Sequence, residues 1–457
     1  MIFSSLLFLF WFIPIFFIVY YICPGKARNV VLFLGSIIFY GWGEPKFLIL
    51  IFISIAVNYL AGRFMEKYES SITLKRTFLV AALVFDFGML FFFKYINFFI
   101  SNINNLLKTG ISIVDVILPL GISFYTFQIA SYVIDVYRGK IPAEHSALIL
   151  GTYLCMFPQL IAGPIVVYSD VASSLKKRTV DFEGISDGIS TFILGLGSKV
   201  LIANNVGALF TEAGKIGYGN LSMPVAWLSM LAYSLQIYFD FNGYSLMAIG
   251  LGKMLGFEFP INFNHPYMAD SITDFWRRWH ITLSTWFREY VYIPLGGNRK
   301  GEFRTYVNLF AVWTLTGFWH GADWNFILWG LFFFVVLSIE KKFLKKFLNE
   351  HKVFAHIYTK LLILLSWMIF AITNLKELGL FFKSLFNFKF YGDAIFYLRN
   401  YGAVLLLGIV LSTPIFAGLY RKNKNRPLGV IFSMIVLVLS VAYLADASYN
   451  PFLYFRF

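Results

Sequence analysis

Residues 78–100 read FLVAALVFDFGMLFFFKYINFFI, a stretch as long as the roughly 20 apolar residues that carry a helix across a bilayer. Stretches of the same character recur over 6–22, 47–62, 114–134, 148–168, 189–210, 225–240, 306–319, 326–339, 361–372, 403–419 and 430–444. No polar segment between them is long enough for a soluble domain, so the chain reads as one all-α, polytopic membrane domain over residues 1–457. The crossings number about eleven or twelve. Residues 30–40 are too short for a comfortable crossing and run into Gly41-Trp42-Gly43-Glu44-Pro45, which points to a re-entrant or interfacial helix. Composition agrees: 59% of residues are hydrophobic, 20% aromatic and 14% charged, against roughly a quarter charged in soluble domains.

The net charge of +14 does not mark a nucleic-acid binder. The basic residues sit in short clusters between apolar stretches, at Lys26/Arg28, 63–76, 176–178, 277–304, 341–346 and 421–426, as the positive-inside rule places them on the cytoplasmic side. Residues 1–21 lack a basic leader and a small-residue cleavage site, so they are expected to be a retained first span with the N-terminus outside. Arg138/Lys140 and 176–178 flank a single apolar stretch, and a break at Gly163-Pro164 is expected there. Cys23 and Cys155 lie far apart and suggest neither a disulfide framework nor a metal site. The six histidines (145, 265, 280, 320, 351, 356) show no zinc-binding spacing. No metal is expected, and no internal repeat of the transporter kind is apparent.

Two histidines stand out. Phe275-Trp276-Arg277-Arg278-Trp279-His280 and, forty positions on, Gly317-Phe318-Trp319-His320-Gly321 set imidazoles among tryptophans in a chain where ionisable groups at depth are functional suspects. From Arg304, helical rise puts His320 about 24 Å along its helix, past the midplane. A neutral imidazole there can take a proton from a hydroxyl; Gly317 and Gly321 allow close approach, and Asp323 either orients the imidazole or anchors the helix end. Trp276, Trp279, Leu283 and Trp286 would share one face of an interfacial helix, with His280 one turn from Trp276 and Ser284. Arg277, Arg278, Arg288, Arg299 and Lys300 form a cationic rim suited to phosphates. Asp240 and Asn242, after Gln236, are candidates for substrate contact. Each feature also has a plain reading: a histidine bonded between helices, topological charge, a polar helix contact.

The order and spacing of Pro119-Leu120-Gly121-Ile122-Ser123-Phe124-Tyr125-Thr126-Phe127-Gln128, 157–165, 236–243, 276–297 and 317–321 resemble the membrane-bound O-acyltransferases, and within them the bacterial alginate O-acetylation branch. The resemblance extends to the closing residues 450–457. It implies a ring of helices around a central tunnel, with a cytoplasmic funnel for the acyl donor and an outer funnel for the acceptor. His320 matches the family's essential histidine and His280 its second one. Leu246 stands where that branch has an acidic residue, which bears on the acceptor and not on the acyl-transfer chemistry.

The expected function is therefore transfer of an acetyl group from a cytoplasmic thioester, acetyl-CoA, for O-acetylation of a cell-envelope polysaccharide such as alginate or peptidoglycan. His320 and His280 are the expected catalytic residues. Arg277, Arg278, Arg288, Trp276, Trp279, Trp319, Asp240 and Asn242 would contact substrate, with the tryptophans excluding water. Acetyl-CoA is a substrate, and no tightly bound cofactor is expected. The partners would be membrane lipid, an extracytoplasmic acetyltransferase protein and the polysaccharide, with no nucleic acid, in the bacterial inner membrane. The alternatives are a transporter or export channel, and an inactive scaffold; the retained histidines and the missing repeat weigh against them.

Overall fold

The computed structural model describes residues 1–388, 392–446 and 453; of the closing residues 450–457, all but Leu453 lie outside the described ones. Of the described residues 79% are helical, and none is in a strand. Among the described residues six helices are long and apolar enough to cross a membrane: Pro45–Lys67, Ile72–Leu107, Phe182–Ile216, Lys352–Ala371, Asp393–Leu411 and Pro427–Asp446. In Pro427–Asp446 only 17% of the apolar stretch is buried, so its side chains face a solvent that must itself be apolar. Phe182–Ile216 is the exception at 72%.

Several sequence boundaries shift for local reasons. Residues 114–121 are not helical; the helix starts at Ile122, after Gly121 turns the chain through the left-handed region (φ 76°). The stretch 403–419 is two helices, Asp393–Leu411 and Pro414–Asn423, because a proline supplies no amide to continue the first. The break at Gly163-Pro164 is present: Ala147–Cys155 and the short Phe157–Leu160 are followed by extended chain to Tyr168–Lys176. Residues 30–40 lie in a 14-residue helix, Arg28–Gly41.

The chain divides into two compact units, Met1–Phe192 with Met247–Pro260, and Ile193–Leu246 with Ile261–Phe457. The first has an aromatic centre in which Phe16 and Phe39 meet Phe157 at 5.1 and 5.5 Å between ring centroids. Arg178 ties its helices together by donating to Tyr20 (2.8 Å) and Asn29 (2.6 Å). The second unit has a larger core of buried aromatics from Tyr233 and Phe241 through Trp276, Trp313, Trp329 and Trp367. It also has three π turns, Ser198–Ala203, Arg288–Tyr292 and Glu340–Leu344, each carrying a charged side chain taken up below. Such turns often sit at functional sites.

Candidate functional site

Both candidate catalytic histidines, His280 and His320, lie in the second unit. Helices Glu302–His320 and Trp324–Ile339 form a hairpin whose backbones touch. A methyl on Gly317 would lie 2.3 Å from the Phe326 carbonyl oxygen, and one on Gly330 would lie 2.3 Å from that of Trp313. Asp323 starts the second helix by accepting from the Trp324 amide at 2.7 Å, the anchoring role of the two considered for it. His320, the last residue of the first helix, is 6% exposed. Its ring meets Trp319, Trp329 and Phe370 edge to face at 4.9, 5.0 and 5.2 Å. Phe370 is held there by Asn325, whose amide donates to the Ile369 and Phe370 carbonyls (3.1 and 2.9 Å).

His280 has no exposed surface. It does not continue one long helix: Ile272–Arg278 ends, His280 adopts φ 43°, ψ 53°, and a new helix, Ile281–Phe287, begins. The expected shared face with Trp276 and Ser284 is therefore absent. The reason lies in residues 262–264, whose backbone replaces helical bonds: Ile281 N donates to Asn262 O and Asn264 N to Arg278 O, both at 2.9 Å. Only Lys108, His265 and His280 among the described non-glycine residues have positive φ, a conformation that costs about 1–3 kcal/mol and clusters at functional sites. The ring packs on Phe241 at 4.6 Å and on Trp319 at 6.1 Å, so both histidines contact one tryptophan. His280 lies outside the six helices able to cross a membrane, and burial pulls its pKa down to about 3. It is neutral at physiological pH.

The remaining residues predicted for the site fall into three groups. Trp276 (against Trp313 at 4.7 Å and Trp329 at 5.6 Å) and Trp279 (against Trp367 at 4.7 Å) belong with Trp319 to the aromatic wall of the histidine pocket. Because Ile272, Phe275 and Trp276 form the buried face of Ile272–Arg278, Arg277 points outward and is exposed. Arg278 pairs with Asp274 at 2.7 Å, and Arg288, on its π turn, with Glu289 at 2.9 Å. The interfacial placement expected for this segment does not hold for its apolar side, since Trp279, Leu283 and Trp286 are buried in protein. Asp240 is committed: Lys199 sits 2.7 Å away in a buried ion pair, and Leu453 N donates to its other oxygen at 2.9 Å. Direct substrate contact there would have to break a buried pair, a large cost. Asn242 is half-buried on the same helix.

Glu340 escaped the sequence reading. Its buried carboxylate caps Ile272–Arg278 from the π turn after Trp324–Ile339, accepting from Ile272 N (2.7 Å), Thr273 N (3.1 Å) and Thr273 Oγ1 (3.0 Å). A negative charge at a helix start is favourable, and this one fixes the segment bearing Trp276, Arg277 and Arg278. Glu340→Ala is expected to cost about 1.5–3 kcal/mol, the worth of a hydrogen bond to a charged group, and Glu340→Gln less. Thermal unfolding of the detergent-solubilised variants checks the order; equal melting for both and wild type would remove Glu340 from the frame. Lys199 carried a usable signal, a lysine inside the apolar stretch 189–210 facing an aspartate in 225–240. Asn262, Asn325, Trp329 and Phe370 carried none, since their roles depend on which segments meet.

Among the described residues no group of three or more His, Cys, Asp or Glu is placed to hold a metal ion. A family model described as the membrane-bound O-acyltransferase family matches residues 141–382, which include both histidines and the residues around them. The chain is 38% identical to the "probable alginate O-acetylase" of Pseudomonas aeruginosa over 94% of its length and 83% of that protein's. It is 33% identical to a peptidoglycan O-acetyltransferase of Helicobacter pylori over 100% of its own length and 98% of the relative's. A teichoic acid D-alanyltransferase of Bacillus subtilis is 29% identical over 51% of this chain and 61% of its own.

Proposed function

Since the chain belongs to the membrane-bound O-acyltransferase family, and is thus a multi-pass membrane O-acyltransferase, we propose that it moves acetyl groups from acetyl-CoA on the cytoplasmic side of a bacterial inner membrane to O-acetylate a cell-envelope polysaccharide. The observation that carries this reading is the pair of buried histidines, His320 and His280, in contact with one tryptophan, Trp319. Acetyl is favoured over D-alanyl because the relatives aligned over most of the chain are named for O-acetyl transfer, whereas the D-alanyltransferase aligns over half. Release to the polymer would use an extracytoplasmic partner protein.

In the proposed step an acceptor hydroxyl attacks the thioester carbonyl carbon. A carbon–oxygen bond forms, the carbon–sulfur bond breaks, and the thiolate leaves. His320 takes the hydroxyl proton as general base. His280 serves on the donor side, and Trp276, Trp279 and Trp319 keep out the water that would hydrolyse the thioester. Labelled acetyl-CoA supplied to the protein in lipid vesicles, with candidate envelope polymers and their partner proteins, tests the reading: label should appear as an alkali-labile ester on a polymer or partner. Label found only as free acetate, or none moved with any acceptor, sinks it.

The arginine rim would meet the donor's phosphates. A bond to a charged group is worth about 1.5–3 kcal/mol, so Arg277→Gln is expected to raise the donor KM roughly tenfold or more. Arg278→Gln and Arg288→Gln should do less, since their guanidinium groups already serve Asp274 and Glu289. Added salt should narrow the differences for the exposed Arg277 and Arg288. Donor titrations with unchanged KM in all three would leave the rim only its topological role.

A further inference from the structure

We propose that Asn262 is a positioning residue, holding the His280 imidazole with its proton on Nδ1 and its lone pair on Nε2; the catalytic meaning of this rests on the function proposed above. The buried Asn262 side chain stands between two elements. Its Oδ1 lies 3.3 Å from the Thr282 backbone N–H, 3.0 Å from Thr282 Oγ1 and 3.1 Å from His280 Nδ1, and its Nδ2 donates to Ser245 Oγ at 3.2 Å.

The orientation of the amide is fixed by chemistry. Turned over, its NH2 group would face the Thr282 N–H, donor against donor. The oxygen therefore faces His280, and an amide oxygen only accepts, so Nδ1 must carry the proton. A neutral imidazole has one N–H. Nε2 is then the acceptor nitrogen. The left-handed turn at His280 and the two backbone bonds from 262–264 to 278–281 hold the ring against that amide.

The tautomer decides what His280 can do. Nε2 can accept a proton or a hydrogen bond, for example from an amide N–H of a thioester's pantetheine arm. It cannot donate to the thioester carbonyl oxygen, so stabilisation of the developing oxyanion must come from other groups. The neighbours Asn262, Thr282, Phe241, Phe263 and Trp319 carry no charge, so a charge placed at position 262 would dominate the ring's titration.

Two measurements on the full-length protein in lipid test this. Nitrogen NMR of histidine-labelled protein reads the tautomer without reference to activity, with the His280 signal identified by its loss in His280→Gln or its displacement in Asn262→Asp. Nδ1–H is expected in wild type; a proton on Nε2 overturns the assignment. Activity per folded protein should fall roughly ten- to a hundredfold in Asn262→Leu, taking as a guide the loss seen when a partner that orients a metal-bound histidine is removed. Asn262→Asp keeps the acceptor and should restore most of the rate at high pH. Its carboxylate favours the imidazolium, so the acid limb of its pH profile should move upward from the wild-type position. Equal losses in both variants with no displaced limb would leave Asn262 a structural residue. Full activity in His280→Gln would overturn the catalytic part while leaving His320 and the family chemistry intact.

Discussion

His320→Ala is expected to leave a folded, inserted protein whose O-acyl transfer is about 10²- to 10⁴-fold slower, the usual contribution of a general base. The fold should tolerate the change. The imidazole ends a helix, and its walls, Trp319, Trp329 and Phe370, are held from elsewhere, Phe370 by Asn325 and Trp329 by Trp276 and Phe333. Turnover with labelled donor, normalised to protein that elutes as a single species, gives the number. His280→Ala should lose less, because donor-side positioning contributes less than proton abstraction. A His320→Ala enzyme at full rate would end the base assignment, and complete loss in both would make the histidines a single catalytic pair.

The all-α, multi-pass membrane character was legible in the sequence because it rests on runs of apolar residues, which depend on no long-range information. Residues 78–100 and 430–444 predicted helices, and the structure places Ile72–Leu107 and Pro427–Asp446 there. His320 was legible for a similar reason: the apolar run after Arg304 predicts a helix up to it, and the helix does run unbroken from Glu302 to His320. His280 was legible as a residue and misread as geometry. Its spacing to Trp276 and Ser284 is helical, but the amide and backbone of 262–264, sixteen or more positions earlier, pull the chain out of the helix. Asp240 shows the same limit. Its polarity in an apolar stretch is visible, but that Lys199 on another helix faces it depends on how the helices pack, and the ion pair makes the carboxylate part of the frame.

The contact between Gly317 and Gly330 leads to the second large effect. Each glycine occupies a point where the two helix backbones meet, and the Cβ of Gly317→Ala would start 2.3 Å from a carbonyl oxygen that cannot rotate away. The helices must separate, and overpacking of this kind typically costs about 1–3 kcal/mol. His320 lies three residues further along the same helix, at the end the shift would move most, and about 1 Å of misplacement can cost a hundredfold in rate. Gly317→Ala is therefore expected to fold with a lowered melting temperature and to lose roughly ten- to a hundredfold in kcat, while donor KM, proposed above to depend on the arginine rim, stays near wild type. Gly330→Ala, which presses on Trp313 from the other helix, should behave alike. Combining the two discriminates the cause: if both act by prising apart the same contact, the double variant should lose little more activity than either single one. Fully additive losses, or a wild-type kcat in Gly317→Ala, would mean that helix separation does not set the position of His320.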